Sequence, residues 1–326
     1  MQLDEDFIKI KDIGKSTNEI ISFIKDEISN KFQKKGVVIG LSGGIDSAVT
    51  AAFCAKSLGS EQMLGLIMPE KESDSESQIL AKKVAEKYNF ETKIIDITQI
   101  LESFGVYKIK EEIVKEKFPK FNTECKYRVM VPPKSKNTIG IPFLEILDEA
   151  KELHKLKINS SEFLTLTAAT SIKHRVRMAT LYFHAEKNYF SVVGTTNKSE
   201  YQQGYFVKYG DGGSDIEPLV NIYKSQIYQF AKFLKVPDEI LTKNASPDVW
   251  SFSTSDEEFF YSVPYNVVDL ILYAREKKLS PKDVQKISNL SIEDIENLFQ
   301  IQNQKQMKSQ HMREIPHSWI PDLLNR

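Results

Sequence analysis

Short apolar runs alternate with stretches of helical periodicity along the first hundred residues. Buried strands are predicted by the apolar runs at 37–41, 63–68 and 93–97. Helices are predicted between them at 48–58, ending at Gly59, and at 75–88. Strands that alternate with helices predict a parallel sheet with helices on both faces.

The flanking segments extend this pattern. A helix is predicted to begin at Ser16, because Ser16 and Glu19 have the spacing of a capping box and precede an apolar stripe: Ile20, Ile21, Ile24 and Ile28. Later elements are a long helix at 161–186, a strand at 190–193 and a helix at 222–234. We therefore expect an α/β fold with a Rossmann-like, doubly wound parallel sheet, flanking helices and a helical C-terminal layer.

The chain is predicted to form a single domain over residues 1–326. The segment at about 101–160 is rich in lysine, glutamate and proline, and is interpreted as an inserted connection, partly helical. From about residue 237 the pattern indicates short helices and loops that cover the α/β core.

Composition excludes several classes of protein. The 44 basic and 45 acidic residues nearly cancel, so no overall field favours nucleic acid or an anionic membrane. Cys54 and Cys125 cannot form a disulfide framework or a four-cysteine zinc site. No apolar run approaches the roughly 20 residues that span a bilayer. The N-terminal segment is acidic and mixed rather than secretory, which predicts a cytoplasmic protein.

The strongest local signal is a glycine-rich turn between the first predicted strand and the helix after it. Its residues are Gly40, Leu41, Ser42, Gly43, Gly44, Ile45, Asp46 and Ser47. Adjacent glycines let backbone amides approach an anion, and a helix start adds partial positive charge. A carboxylate in such a cradle needs a cation, which predicts Mg²⁺ at Asp46. A tight turn without a ligand is the simpler explanation for a lone Gly-Gly pair, but not for Ser-Gly-Gly-x-Asp-Ser after an apolar strand. This octet resembles the pyrophosphate loop of the ATP pyrophosphatases, which cleave ATP between its α and β phosphates and adenylate a substrate.

A second dense group of polar residues follows the long helix. It contains Arg175-Val176-Arg177-Met178, Gly194 to Glu200, Lys208-Tyr209-Gly210-Asp211-Gly212-Gly213-Ser214-Asp215 and Asn221 to Lys224. Ligands on open α/β sheets bind beyond the carboxyl ends of strands, and Gly194 to Glu200 directly follows a predicted strand. Glu200 is therefore expected to share a cation with Asp46.

With these motifs the chain resembles the NAD⁺ synthetases, over the pyrophosphate loop and nearly continuously over residues 171–235. The resemblance implies a C–N bond-forming ligase of NAD biosynthesis that amidates deamido-NAD⁺ to NAD⁺ with ATP and releases AMP and pyrophosphate. It implies Mg²⁺ ligands at Asp46 and Glu200, and catalytic roles for Asp46, Asp211 and Lys224. Contacts to ATP are implied for residues 40–47, Thr195, Lys224 and Ser246. Contacts to deamido-NAD⁺ are implied for Arg175, Lys208, Asp215 and His311.

The nitrogen donor is predicted from length: the loop begins at Gly40, which leaves no room before it for a glutaminase domain. Free ammonia, or ammonia from a separate protein, is therefore expected. The resemblance also implies a homodimer that binds only small molecules. The sequence departs from the family pattern on the substrate side and its lid, at Ser171, Glu257-Glu258, Tyr261-Ser262, Met312 and the 101–160 segment.

Three alternatives stay open. One is an amidase that adenylates another carboxylate, such as a sugar acid. An RNA-modifying enzyme is disfavoured by the balanced charge and the absence of a paired-cysteine sulfur carrier. A non-catalytic protein is disfavoured because Asp46, Glu200 and Lys224 are all present.

Overall fold

A four-stranded parallel sheet forms the centre of the molecule. The computed structural model describes residues 5–131, 141–243, 250–252, 255–261 and 263–317. The central strands are β1 (Val37–Gly40), β2 (Met63–Ile67), β3 (Glu91–Ile94) and β7 (Ser191–Val193). Their order is β3-β2-β1-β7, with every pairing parallel, which confirms the predicted sheet.

The third strand begins two residues earlier and ends three residues earlier than the predicted 93–97. Its side chains are largely exposed, because β3 lies at the edge of the sheet. The apolar run instead marks the segment after the strand, where Ile97 is buried and its amide donates to the Pro69 carbonyl at 3.0 Å.

Helices cover both faces of the sheet. They are α1 (Ile13–Lys25), α2 (Ile45–Leu58), α3 (Ser75–Tyr88), α4 (Thr98–Ser103), α5 (Val106–Lys117), α6 (Ser160–Asn188), α7 (Lys198–Gln203) and α8 (Lys224–Leu234). Helices α1, α2, α3 and α8 bury one apolar cluster with β1, and α4 and α6 bury another on the opposite face. This two-sided packing confirms the doubly wound fold.

The predicted start of the first helix at Ser16 is wrong. Helix α1 begins at Ile13 and is capped by Asp12, whose Oδ1 accepts the Lys15 amide at 2.8 Å. Ser16 lies inside the first turn, with its amide donated to the Asp12 carbonyl at 3.0 Å. Asp12 is as good a cap as serine, and the apolar residues from Ile13 onward extend the helix back to it. The chain continues in π-helical geometry over Asp26–Lys31.

The described residues of the 101–160 segment, 101–131 and 141–160, contain an antiparallel sheet in addition to the expected helix. The helix is α5, and the strands of the sheet are β4 (Lys126–Met130), β5 (Phe143–Leu147) and β6 (Leu153–Lys157). Its own apolar cluster includes Tyr127 and Ile146, together with Trp250 from the C-terminal part. Lysine-rich strands such as β6 show little apolar signal, because only part of each strand faces this cluster.

The C-terminal part forms the predicted helical layer. Its helices are α9 (Asp238–Thr242), α10 (Tyr265–Glu276), α11 (Pro281–Lys286), α12 (Ile292–Lys308) and α13 (Gln310–Arg313). Helix α12, with 17 residues, is longer than the short helices predicted there. In the described part of the chain, no helix has both the length and the hydrophobicity that crossing a membrane requires.

Candidate active site

The site lies where the order of the strands reverses. The chain runs outward from β1 to β2 and β3, and β7 then pairs with the other side of β1. Loops leaving β1 and β7 diverge at such a point and open a crevice at the carboxyl ends of the strands. The segments after these two strands are the glycine-rich turn and Gly194 to Glu200, so the fold brings the two sequence motifs together.

The glycine-rich turn is shaped by one backbone position. Gly43 has φ +74°, and a Cβ there would lie 2.3 Å from the carbonyl oxygen of Ser77 on α3. The turn is also held by its serines: the Ser47 hydroxyl donates to the Gly44 carbonyl at 2.9 Å, and the Gly44 amide donates to Ser42 Oγ at 3.2 Å. No side chain caps the start of α2, so its first amides face the crevice without a competing cap.

Three charged side chains meet beside this turn. Lys224, at the start of α8, donates through Nζ to Asp46 Oδ2, and its Nζ lies 3.9 Å from Glu200 Oε1. The second oxygen of Asp46 accepts the Asn197 side-chain amide at 3.1 Å. Asn197 also caps α7, where the Glu200 carboxylate accepts its backbone amide at 3.1 Å in a capping box. One oxygen of Glu200 therefore orients the helix, and the other faces the cluster.

The three side chains are largely buried, so the charge state of each depends strongly on its neighbours. The Lys224 side chain is 2% exposed, against 18% for Asp46 and 16% for Glu200. Burial and the nearby Asp46 raise the pKa of Glu200 well above its ordinary value. Burial alone would lower the pKa of Lys224, but Asp46, Glu200 and Asp256 together raise it. Two carboxylates that converge on one cation in this way have the donor chemistry that Mg²⁺ prefers, so the residues fit the predicted metal.

Buried neighbours hold Lys224 in place. The Asp269 carboxylate accepts the Ser199 hydroxyl at 2.5 Å, the Ser225 hydroxyl at 2.6 Å and the Ser225 amide at 2.8 Å. Ser199 Oγ in turn accepts the Lys224 amide at 3.1 Å. Asp269 on α10 therefore ties the helix that carries Glu200 to the helix that carries Lys224.

A second acidic group also lines the crevice. Asp211 Oδ1 accepts the Val207 amide at 2.9 Å and lies 3.5 Å from Nδ1 of His174 on α6. Behind it, Glu217 accepts the Ser214 hydroxyl at 2.8 Å and the Thr196 amide at 3.2 Å. Burial raises the pKa of Glu217 to about 8. These hydrogen bonds hold the loop that carries Asp211, whose side chain lines the cleft.

A further set of buried charges joins the inserted segment to the core beneath the cleft wall. Lys173 Nζ on α6 lies 2.7 Å from Glu70 Oε1 and 2.5 Å from Glu72 Oε2. Lys110 on α5 contacts the same Glu72 oxygen, and the Tyr127 hydroxyl donates to its other oxygen at 2.9 Å. Burial would raise the pKa of Glu72, but the two lysines hold it below its ordinary value. The loop after β2 is therefore fixed by the insertion.

These elements surround a cleft of about 1770 Å³. That exceeds the roughly 300–1,000 Å³ of a site for one drug-sized ligand, which suits two nucleotide substrates. The predicted residues that line it are Gly40, Leu41, Ser42, Gly44, Ile45, Asp46, Ser47, Thr195, Glu200, Asp211 and Lys224. Gly43 packs against α3 instead, and Ser246 lies outside the described residues.

The four residues assigned to the dinucleotide do not line the described walls of this cleft. Three of them lie together nearby: Arg175 Nε donates to the Lys208 carbonyl at 3.2 Å, and Lys208 Nζ donates to the His311 carbonyl at 2.7 Å. Asp215 lies apart from these contacts, and accepts the Tyr182 hydroxyl at 3.0 Å and the Val192 amide at 2.7 Å.

Sequence reasoning missed several residues of the site. These are His174, Asn197, Glu217, Asp256 and Asp269. Only Asn197 had a signal, since Asn-x-x-Glu after a strand is a capping box. The others reach the site through at least one partner that is distant along the chain, as His174 does with Asp211 and Asp269 with Ser199.

Comparison with known proteins identifies the family. A sequence model of NAD synthase matches residues 16–140 and 135–316. The chain belongs to the NAD synthase family. Within this family, an NH3-dependent NAD⁺ synthetase of Rhizobium rhizogenes is 34% identical over 300 residues, which are 91% of this chain and 90% of the relative. Relatives from 31% to 35% identical carry the same name.

Solved structures agree with this family. The NH3-dependent NAD synthetase of Campylobacter jejuni, in complex with nitrate, has a TM-score of 0.62 and 26% identity, covering 95% of this chain and 100% of that chain. An NMN synthetase of Francisella tularensis has a TM-score of 0.66 and 24% identity, covering 95% and 99%. The second similarity supports the fold alone.

Proposed function

We propose that this protein is an ammonia-dependent NAD⁺ synthetase, a ligase that amidates deamido-NAD⁺ with ATP and releases AMP and pyrophosphate. The observation that carries the proposal is the NAD synthase family membership, joined to relatives of this name that match nine-tenths of their length. The convergence of Asp46, Glu200 and Lys224 beside a glycine-rich anion loop supports ATP activation. A different acceptor, such as a sugar acid, is not favoured by these relatives.

Activation of the acid is the first half of the reaction. A carboxylate resists nucleophilic attack, so it first attacks the α-phosphorus of ATP and displaces pyrophosphate. Asp46 and Glu200 would hold Mg²⁺, which when bound supplies stabilisation of phosphate charge. The Lys224 ammonium, the loop amides and the Ser42 hydroxyl bind the anionic groups as charge develops. Holding both substrates in one cleft supplies much of the remaining rate.

Amide formation is the second half. Ammonia attacks the acyl carbon, and AMP leaves. Asp211 faces the cleft and is proposed to orient the nitrogen, so Asp211→Asn should slow this half and spare pyrophosphate release.

The dinucleotide and the quaternary structure are proposed together. Arg175, Lys208 and His311 lie outside the cleft within one chain, and we propose that a homodimer completes their site. Phe183 and Leu164 on α6 are 62% and 65% exposed, which suits a contact with a second copy. A cytoplasmic location is proposed from the two cysteines of the described chain, which are buried and unpaired, as is common in a reducing compartment.

The direct test is an assay of the purified protein with ATP, Mg²⁺, ammonium and deamido-NAD⁺. NAD⁺, AMP and pyrophosphate should appear in equal amounts. Nicotinic acid mononucleotide serves as the competing acid, because one protein of this fold is an NMN synthetase. Failure to release pyrophosphate with deamido-NAD⁺, or faster turnover of the mononucleotide, would overturn the assignment of the acceptor.

A further inference from the structure

A histidine and an aspartate lie next to each other in the wall of the cleft. His174 Nδ1 on α6 and Asp211 Oδ1 on the 208–215 loop are 3.5 Å apart. Both residues line the cleft. The two side chains are a quarter and two-fifths exposed, so both remain accessible to a small substrate.

The backbone around the pair is built for this approach. A Cβ on Gly210 would lie 2.8 Å from the Cβ of His174, so the loop reaches α6 only because glycine stands there. Asp211 is fixed by the Val207 amide at 2.9 Å, and its carbonyl accepts the Thr196 hydroxyl at 3.3 Å. Contacts on both sides thus hold the carboxylate opposite the imidazole.

Amidation creates the need for a proton acceptor. Like the amine of lysine, ammonium is protonated at neutral pH, and a protonated nitrogen has no lone pair with which to attack. An imidazole whose Nδ1 faces a carboxylate keeps its proton on that nitrogen, which leaves Nε2 able to accept one.

We propose that His174, oriented by Asp211, accepts a proton from ammonium and thereby delivers ammonia to the activated acid. This inference rests on the proposed synthetase activity and adds a residue to it. His174 acts as the base, and Asp211 positions it and stabilises the imidazolium that forms.

The step balances in protons and electrons. One N–H bond of ammonium breaks, its electron pair stays on nitrogen, and the proton goes to His174 Nε2. The freed pair forms the C–N bond, and the C–O bond to the AMP phosphate breaks with its electrons on oxygen. The nitrogen loses its second proton to water, and the imidazolium returns its proton to water in the cleft.

Burial and the nearby charges do not all act on the protonation of His174 in the same direction. Burial lowers the pKa of His174, and the positive charges of Arg177, Lys173 and Arg175 on the same helix lower it further. The Asp211 carboxylate raises this pKa, but the net shift is downward. Glu217 lies behind Asp211, and burial raises its pKa to about 8. The lowered pKa of His174 favours the uncharged imidazole, which is the form that accepts a proton.

The test compares two nucleophiles on the full-length protein. Hydroxylamine is already uncharged at neutral pH, so it needs no base before it attacks. His174→Gln should lose about 100-fold in kcat/KM for ammonium at pH 7, the lower end of what a positioned base contributes, and much less for hydroxylamine. His184→Gln, on the same helix but outside the cleft lining, is the matched control and should behave as wild type.

A pH profile gives a readout that a purely structural role would not move. For the variant, kcat/KM for total ammonium should rise about tenfold per pH unit from pH 6.5 to 8.5, as free ammonia does, whereas the wild-type profile should be much flatter. Equal losses with both nucleophiles, or parallel pH profiles, would overturn the role of His174. An inactive wild-type protein would instead contradict the proposed function. Should His174→Gln be unstable, His174→Asn gives the same comparison.

Discussion

Lys224 is the buried cation of the site, and its removal gives a prediction with a definite magnitude. The Lys224→Met variant leaves Asp46, Glu200 and Asp256 without the ammonium that faces them. Breaking a buried ion pair by removing one partner costs ~3–5 kcal/mol in stability. The expected result at pH 7.5 is a free energy of unfolding lower by that amount, with a Tm roughly 10 °C lower.

The sign of the pH dependence follows from the same cluster. Because the pKa of Lys224 is raised, its contribution to stability is complete at neutral pH and is lost only at strongly alkaline pH. In the variant, Glu200 and Asp256, whose pKa values burial already raises, take up protons as the pH falls and so lose their unpaired charge. The difference in the free energy of unfolding between the variant and the wild type should therefore be smaller at pH 5.5 than at pH 7.5.

The measurements are urea unfolding and thermal melting of the full chain at both pH values, with and without Mg²⁺. Lys232→Met, an exposed lysine on the same helix, is the matched control and should cost less than ~1 kcal/mol. The double variant with Asp46→Asn should cost less than the sum of the single changes, because the amide carries no charge that needs a partner. A ligand that binds the folded state stabilises it. Mg²⁺ should therefore raise the Tm of Lys224→Met more than that of wild type, because Lys224 no longer competes with the cation for Asp46 and Glu200. A Lys224→Met variant as stable as the control at pH 7.5, or indifferent to pH, would refute this account of the cluster.

Three further changes test other parts of the structure. Gly43→Ala should abolish pyrophosphate release, because the new Cβ would lie 2.3 Å from the Ser77 carbonyl oxygen. Gly59→Ala is the control: Gly59 also has a positive φ, +89°, but nothing lies within 4 Å of its Cβ, so this variant should retain pyrophosphate release. Equal activity of the two variants would contradict the steric argument. Asp269→Asn should lower the free energy of unfolding by ~1–3 kcal/mol and slow pyrophosphate release, because its carboxylate accepts three hydrogen bonds; urea unfolding that matches wild type would count against this role. Phe183→Lys should weaken the proposed homodimer in sedimentation experiments, and an unchanged sedimentation coefficient would remove α6 from the interface.

The sequence predicted the elements whose signals are local. Helix α3 has the predicted bounds, and β1, β2 and β7 fall on the apolar runs. A fully buried parallel strand is apolar along its whole length, and a helix repeats its apolar face every three to four residues, so neither signal needs knowledge of the rest of the fold. Weakly apolar elements escaped this reasoning, as the edge strand β3 and the lysine-rich β6 show.

In the site, too, local features could be predicted from the sequence, whereas contacts between distant elements could not. The glycine-rich turn identifies itself, because strand, turn, anion-binding amides and helix start are consecutive in the chain. Only the tertiary structure decides that Lys224 lies against Asp46, 178 residues away, and that Asp269 ties Ser199 to Ser225. The pairing of His174 with Asp211 likewise depends on how closely Gly210 lets a loop approach α6. Residue types and local spacing fix which groups can bind phosphate or a cation, but distance, burial and therefore pKa arise only when separate elements pack together.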